Sequence, residues 1–243
     1  MLSKLWLPLL ISVPLASPQT AGLTEKETLT YTIEWRLITA GKAVMEWAQT
    51  HFGWQVNLHV ESVGLVSKLY KVVDDYNANL NPGLCTISSL LTAHEGSRRR
   101  ETRISYDYAS RKANYLERDT AKNAVLLKNE IDVPACVHDV IGGLHLLRTL
   151  NIELGHSVMI PVSDGKKSVM AKVEAQQRED IKTPAGQFHT IRYEAYLFDN
   201  VLYRRSARLN VWLTDDRRKL PVQIRVRMQF TIGTITLQLA KPD

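Results

Sequence analysis

The sequence predicts a mainly β fold, a large, strongly curved antiparallel sheet or incomplete barrel carrying two short helices. Apolar and polar residues alternate with a period of two over most of the chain, turn residues separate the alternating runs, and in two stretches the spacing becomes helical. Half-buried antiparallel strands alternate in this way, whereas the strands of a parallel α/β sheet are continuously apolar. A sheet of roughly ten or more strands is expected to curl, close or split into layers.

The elements follow in chain order. Met1–Ala21 reads as a signal peptide: Lys4 supplies the positive start, and Leu5–Ala16 form an apolar run of about a dozen residues, too short to span a membrane. Residues 22–243 then form a single β-rich domain, with no Pro-, Gly- or Ser-rich linker. Leu29, Tyr31, Ile33 and Trp35 alternate with threonines and Glu34, as do Trp54, Val56, Leu58 and Val60 with Gln55, Asn57 and His59. Further runs centre on Val169–Ala175, Ile191–Leu197, Leu209–Leu213, Val222–Phe230 and Ile235–Leu239. Ala40-Gly41, Asn81-Pro82-Gly83, Asp164-Gly165, Pro184-Ala185-Gly186 and Thr231-Ile232-Gly233 punctuate them. Val63–Val73 places Leu65, Leu69 and Val72 at helical spacing. His138–Leu150 does so with Val140, Leu144 and Leu147, with Asp139 early and Arg148 late. Residues Asp119–Val137 are the least regular and are expected to join two sub-sheets.

Hydrophobic residues at 44% and charged residues at 23% exclude wholesale disorder. The 31 Lys and Arg outnumber 25 Asp and Glu. Removing the first 21 residues deletes only Lys4 and leaves a charge of +5. An exported basic protein meets little nucleic acid, so lipid headgroups and surface polysaccharide are its polyanions, and a periplasmic or otherwise exported location is expected. In that oxidising space Cys85 and Cys136 either pair or stay as two buried thiols, and the sequence leaves both open.

Catalytic and metal chemistry find no motif. The seven histidines are scattered, and H-E-x-x-H, C-x-x-C, G-x-S-x-G and phosphate-binding glycine loops are absent. No metal or cofactor is therefore expected, and a non-enzymatic role is preferred. Asp74-Asp75 and Asp215-Asp216 are adjacent, so on a strand each pair points to opposite faces. The basic clusters are more distinctive: Arg98 and Arg100 in one, Arg225 and Arg227 on one face of a strand in another, all possible anion contacts or a solvated face.

Leu29–Trp47, Glu61–Pro82, Ile181–Ala195 and Leu209–Leu239 together resemble the family of exported bacterial proteins catalogued as domain of unknown function 3108. The resemblance rests on the turn Ala40-Gly41-Lys42-Ala43, the Gly64-Leu65-Val66-Ser67 segment leading to Tyr70-Lys71-Val72, the Lys182–Gly186 turn, and Trp212–Pro221 near the end. It implies an exported, β-rich single domain and brings no assigned activity.

Three functions remain. A curved sheet holding an apolar ligand such as a lipid would use its apolar strand faces, with Trp35, Trp54, Val56, Leu58, Val211, Val226 and Met228 as ligand-binding residues and the two helices as covers. Periplasmic lipid carriers are similar in broad design. A structural or assembly protein would instead bind partners or polymers along strand edges. An envelope hydrolase would use carboxylates, or His138 with Asp139. The chain is expected to act as a monomer, with a lipid or another envelope component as partner and no nucleic acid.

Overall fold

The computed structural model describes residues 23–228 and 233–242. The expected signal peptide at Met1–Ala21, and Phe230 with Thr231 and Ile232 of the last expected turn, lie outside the described residues.

Strands β1 (Lys26–Trp35), β2 (Ile38–Thr50) and β3 (Gly53–Ser62) lead to helix α1 (Gly64–Leu69). Five strands follow: β4 (Val72–Leu80), β5 (Thr86–Glu95), β6 (Arg98–Asp107), β7 (Lys112–Asp119) and β8 (Ala124–Asp132). Helix α2 (Val140–Thr149) precedes β9 (Ser157–Ser163), β10 (Ser168–Thr183), β11 (Gly186–Ala195), β12 (Ala207–Thr214), β13 (Pro221–Met228) and β14 (Thr234–Pro242). The fourteen strands of the described residues form one antiparallel sheet in the order β8-β7-β6-β5-β4-β3-β2-β1-β14-β13-β12-β11-β10-β9. Strands consecutive in sequence pair throughout, except β8 and β9, which lie at opposite ends, and the first and last strands, β1 and β14, meet mid-sheet.

The expected strong curvature and incomplete barrel are corrected by this order. The sheet is open, with β8 and β9 at its two ends and no ladder between them among the described residues. Closure is blocked chemically. His138 donates its N–H to Pro161 O (3.0 Å) and accepts from Ser163 N (2.9 Å), so the segment before α2 occupies the backbone groups of β9 that a closing strand would need. Sequence periodicity counts strands, but it does not show which segment covers an edge.

Register puts the apolar residues of every central strand on one face. Leu29 lies opposite Met45, and Met45 opposite Leu58. On the other half of the sheet Val226 faces Leu209, and Tyr193 lies between Val211 and Ala175. Helix α2 packs on this face. Its N-cap Asp139 accepts from Gly142 N (2.8 Å), and the buried Leu144 and Leu147 turn inward. Gly142 lets the helix approach closely, since a Cβ there would lie 2.9 Å from a terminal methyl of the buried Leu80, which would have to shift.

Two expectations near the helices change. The helical stretch Val63–Val73 shortens to Gly64–Leu69, because Val72 and Val73 enter β4 and pair with Glu95 and His94. No residue of α1 is buried, so it does not cover the sheet. The irregular stretch Asp119–Val137 contains β8, a full strand. Its alternation is weak because it is an edge, leaving the consecutive Val125, Leu126 and Leu127 exposed.

Candidate functional site

The apolar face beneath α2 is not completely filled. A cavity of about 240 Å³ lies between α2 and strands β9 to β13, with Ala195 of β11 in its lining, closed on one side by residues 196–206. The helix contributes Val140, Ile141, Leu144 and Leu147, and the strands contribute Ile160, Val173, Val211 and Val226 among others. Leu197, Phe198 and Tyr203 form the outer wall, with the Phe198 and Tyr203 rings 5.4 Å apart. Lys167 Nζ holds this wall through the carbonyls of Asn200 and Val201. Tyr203 supplies the only polar side-chain atom among the described lining residues.

Val140, Ile141 and Tyr203 also border a second, more polar recess of about 270 Å³. Its walls include Asp139, Asp164, Lys166, Ser89, Thr102 and Tyr115, with Lys166 Nζ 5.2 Å from the Tyr115 ring centre. Burial, reinforced by the carboxylates of Asp164 and Asp139, pushes the Tyr203 hydroxyl up to about 12. Tyr203 therefore stays a neutral phenol at the junction of an apolar and a polar compartment.

Both ends of α2 are anchored. At its start, Thr86 Oγ1 donates to Asp139 Oδ2 (2.9 Å) and accepts from Asp139 N (2.9 Å). Cys85 and Cys136 are joined by a disulfide whose Cα atoms are 5.2 Å apart, tying the β4–β5 connection to the segment before α2. His138 Nδ1 lies 2.8 Å from Leu84 O, and burial lowers the pKa of this imidazole. At the other end Arg148 donates to Glu27 Oε2 at 2.7 Å and Oε1 at 3.0 Å, with both side chains at most 2% exposed. Arg148 also donates to the carbonyls of Lys219 (3.1 Å) and Arg218 (3.2 Å). His145 is stacked on Trp47 with ring centres 3.7 Å apart. Burial, helped by Arg148, holds its pKa well below the ordinary value, so it is neutral. The Arg148–Glu27 pair escaped sequence reasoning, yet Glu27 has the strand parity of Leu29, Tyr31 and Ile33 and so falls on the buried face.

The seven apolar candidates do not converge. Val211 and Val226 line the cavity. Trp54 and Val56 are buried in the other half of the core, Trp54 stacked 4.8 Å from Trp47. Leu58 is half-buried beside them and also borders a groove on the opposite face with His59 and Asp75. Trp35 is half-buried at the β1–β2 hairpin under Arg36 (5.4 Å), and Met228 ends β13. The arginines also separate. Arg98 pairs with Glu95 (3.4 Å), while Arg100 is half-buried and bridges Asp119 (3.1 Å). Arg225 lies over the Trp212 ring (5.0 Å), and Arg227 is exposed. Among the described residues no group of three potential ligands gathers for a metal ion, and no helix is long and apolar enough to cross a membrane.

The molecule is thus an open antiparallel β-sheet protein with one helix over a largely apolar cavity. The chain belongs to the family of proteins of unknown function DUF3108, which it matches over residues 30–240. Among solved structures it is similar to a β-barrel-like protein of the family DUF1849 from Brucella abortus, with 9% identity, a TM-score of 0.56, and 90% of this chain and 97% of that one covered. At that identity the likeness is one of fold alone. A Bacteroides fragilis protein named as exported, with a YmcC-like fold, is more remote (10% identity, 90% and 96% covered, TM-score 0.39). So is a Parabacteroides distasonis chain named as a lipoprotein (8% identity, 92% and 98% covered, TM-score 0.33). No curated protein matches.

Proposed function

We propose that this chain is an exported cell-envelope protein that binds one slim apolar ligand, such as an acyl chain of a lipid, in the cavity beneath α2. The observation that carries this reading is the cavity's lining, in which Tyr203 alone contributes a polar side-chain atom among the described residues. Its volume decides the size of the ligand. About 240 Å³ exceeds the roughly 150 Å³ apolar cavity that admits benzene, but falls below the roughly 300 Å³ at which drug-sized sites begin. One chain segment fits; a multi-acyl lipid would have to leave most of itself outside. The role is non-catalytic in this reading, because Asp139 is engaged as a helix cap by Gly142 N and Thr86 Oγ1, which favours a structural use of that carboxylate.

The test is titration of the delipidated protein with a fluorescent fatty-acid probe, repeated on Ala195→Leu and Val226→Phe, which place new atoms in the cavity. Saturable micromolar binding by the parent, lost in both variants while their unfolding temperatures stay within a few degrees, supports the reading. No saturable binding, or equal binding by correctly folded variants, removes it. The exposed Val125-Leu126-Leu127 run on the open edge strand β8 favours a second reading, in which a partner adds a strand there.

A further inference from the structure

The antiparallel order sends the connections alternately to two ends of the sheet, and the charges divide unevenly between them. At the end holding α1, the β1–β2 tip and the Tyr196–Ser206 wall, the connections carry eight Lys or Arg against two acids, Asp164 and Asp199. At the opposite end, α2 included, they carry five against four. Large apolar side chains project into solvent at the basic end. Leu37 is 95% exposed, Leu69 78% and Leu65 65%, with Ile38 and Tyr70 beside them in the chain. Lys68 and Lys71 stand within and just after α1, and Arg98 and Arg99 open the neighbouring β6.

A recess of about 240 Å³ bordered by Lys71, His94, Gly96 and Arg99 lies next to α1. Arg99 Nη1 donates to Gly96 O (2.7 Å), which fixes the guanidinium at its rim. The Tyr70 ring covers Gly96, where a Cβ would come within 2.7 Å, so the end of α1 is held against the β5–β6 turn rather than swinging free. Leu65 and Leu69 lie one turn apart on a helix with no buried residue, and such a grouping of exposed leucines marks a contact with an apolar partner. The excess of cations in these connections selects which apolar partner: leucines that enter an interface while lysines and arginines meet acidic headgroups describe a bilayer surface.

We propose that this end of the sheet docks on an anionic lipid bilayer, with Leu65 and Leu69 of α1 and Leu37 of the β1–β2 tip entering the interface and the Lys71–Arg99 recess receiving an acidic headgroup. The surface is independent of the cavity, although the Phe198 and Tyr203 wall of the cavity belongs to the same end.

Co-sedimentation of the exported, purified protein with phosphatidylglycerol-containing and pure phosphatidylcholine vesicles tests the surface. Binding is expected to the anionic vesicles, about tenfold or more weaker to the neutral ones, and to fall steeply with salt. The double substitution Leu65→Asp with Leu69→Asp should lose about tenfold or more of it at unchanged unfolding temperature, since neither side chain is buried. Equal sedimentation of this variant, or no preference for anionic vesicles, overturns the proposal. As a second readout, Leu69→Trp should gain fluorescence quenching by brominated lipid relative to the parent, and no gain counts against it. Fatty-acid probe binding in the absence of vesicles should be the same in all these variants, so the outcomes for cavity and surface are separable.

Discussion

Replacing Arg148 by Ala should expose the energetic dependence of α2 on one buried ion pair. In the native protein Glu27 is 2% exposed and receives two hydrogen bonds from Arg148, at 2.7 and 3.0 Å; among the described residues its other ion-pair partner is Arg218, 3.5 Å away and half-exposed. Removing Arg148 leaves a buried carboxylate under the helix whose remaining partner, Arg218, is half-exposed and solvent-screened. Breaking one side of such a buried pair costs about 3–5 kcal/mol. At about 2–4 °C per kcal/mol for a chain of this size, the unfolding temperature should drop by about 6–20 °C. Two carbonyls, of Lys219 and Arg218, lose their donor as well, which places the expectation toward the upper part of the range. The double change Glu27→Leu with Arg148→Met should recover most of the loss, because an apolar pair of similar volume avoids the desolvation cost of two ions. Urea unfolding followed by circular dichroism measures Arg148→Ala, the double variant and its two single changes. A loss below about 1 kcal/mol in Arg148→Ala, or a double variant as damaged as the sum of its single changes, would refute the reasoning.

Other expectations follow from neighbouring residues. The adjacent glycines of α2 should respond with opposite signs: Gly143→Ala meets Val162 only at 3.6 Å and should stabilise by up to about 1 kcal/mol, whereas Gly142→Ala meets Leu80 at 2.9 Å and should destabilise. Trp54→Ala should cost about 3–5 kcal/mol in thermal or urea unfolding while leaving fatty-acid probe binding intact, since Trp54 is buried outside the cavity. Replacing both cysteines by Ser should cost about 4 kcal/mol from the 51-residue separation, read from the urea midpoint. The depressed pKa values of buried His145 and His138 mean that the unfolded chain takes up protons first on acidification. Their contribution is complete above about pH 6.5 and is lost as pH falls below it; His145→Phe, which keeps a ring on Trp47, should flatten that acid limb of the unfolding temperature.

Family, strand character and the two helical segments were readable from residues alone, because each depends on short-range order. Alternation at Leu29–Trp35 or Trp54–Val60 reports a strand half in water, and Asp139 before Val140 reports a helix start, whatever the rest of the chain does. The family match over residues 30–240 follows from motifs that are likewise local. Openness of the sheet was not readable, since it turns on His138 occupying the edge of β9, a contact between segments with no periodic signature. Nor was the cavity. Val211 and Val226 were found because apolar strand residues face inward, but so do Trp54 and Val56, and only the position of α2 separates lining from packed core. Phe198 and Tyr203 sit in a connection without period, so nothing in their neighbours marks them. The ion pair of Glu27 with Arg148 joins residues 121 apart, and the gathering of basic connections at one end depends on strand order. Sequence thus determined which residues seek burial; the tertiary structure decided which of them found complete packing, because burial is a property of one residue and complementarity a property of many.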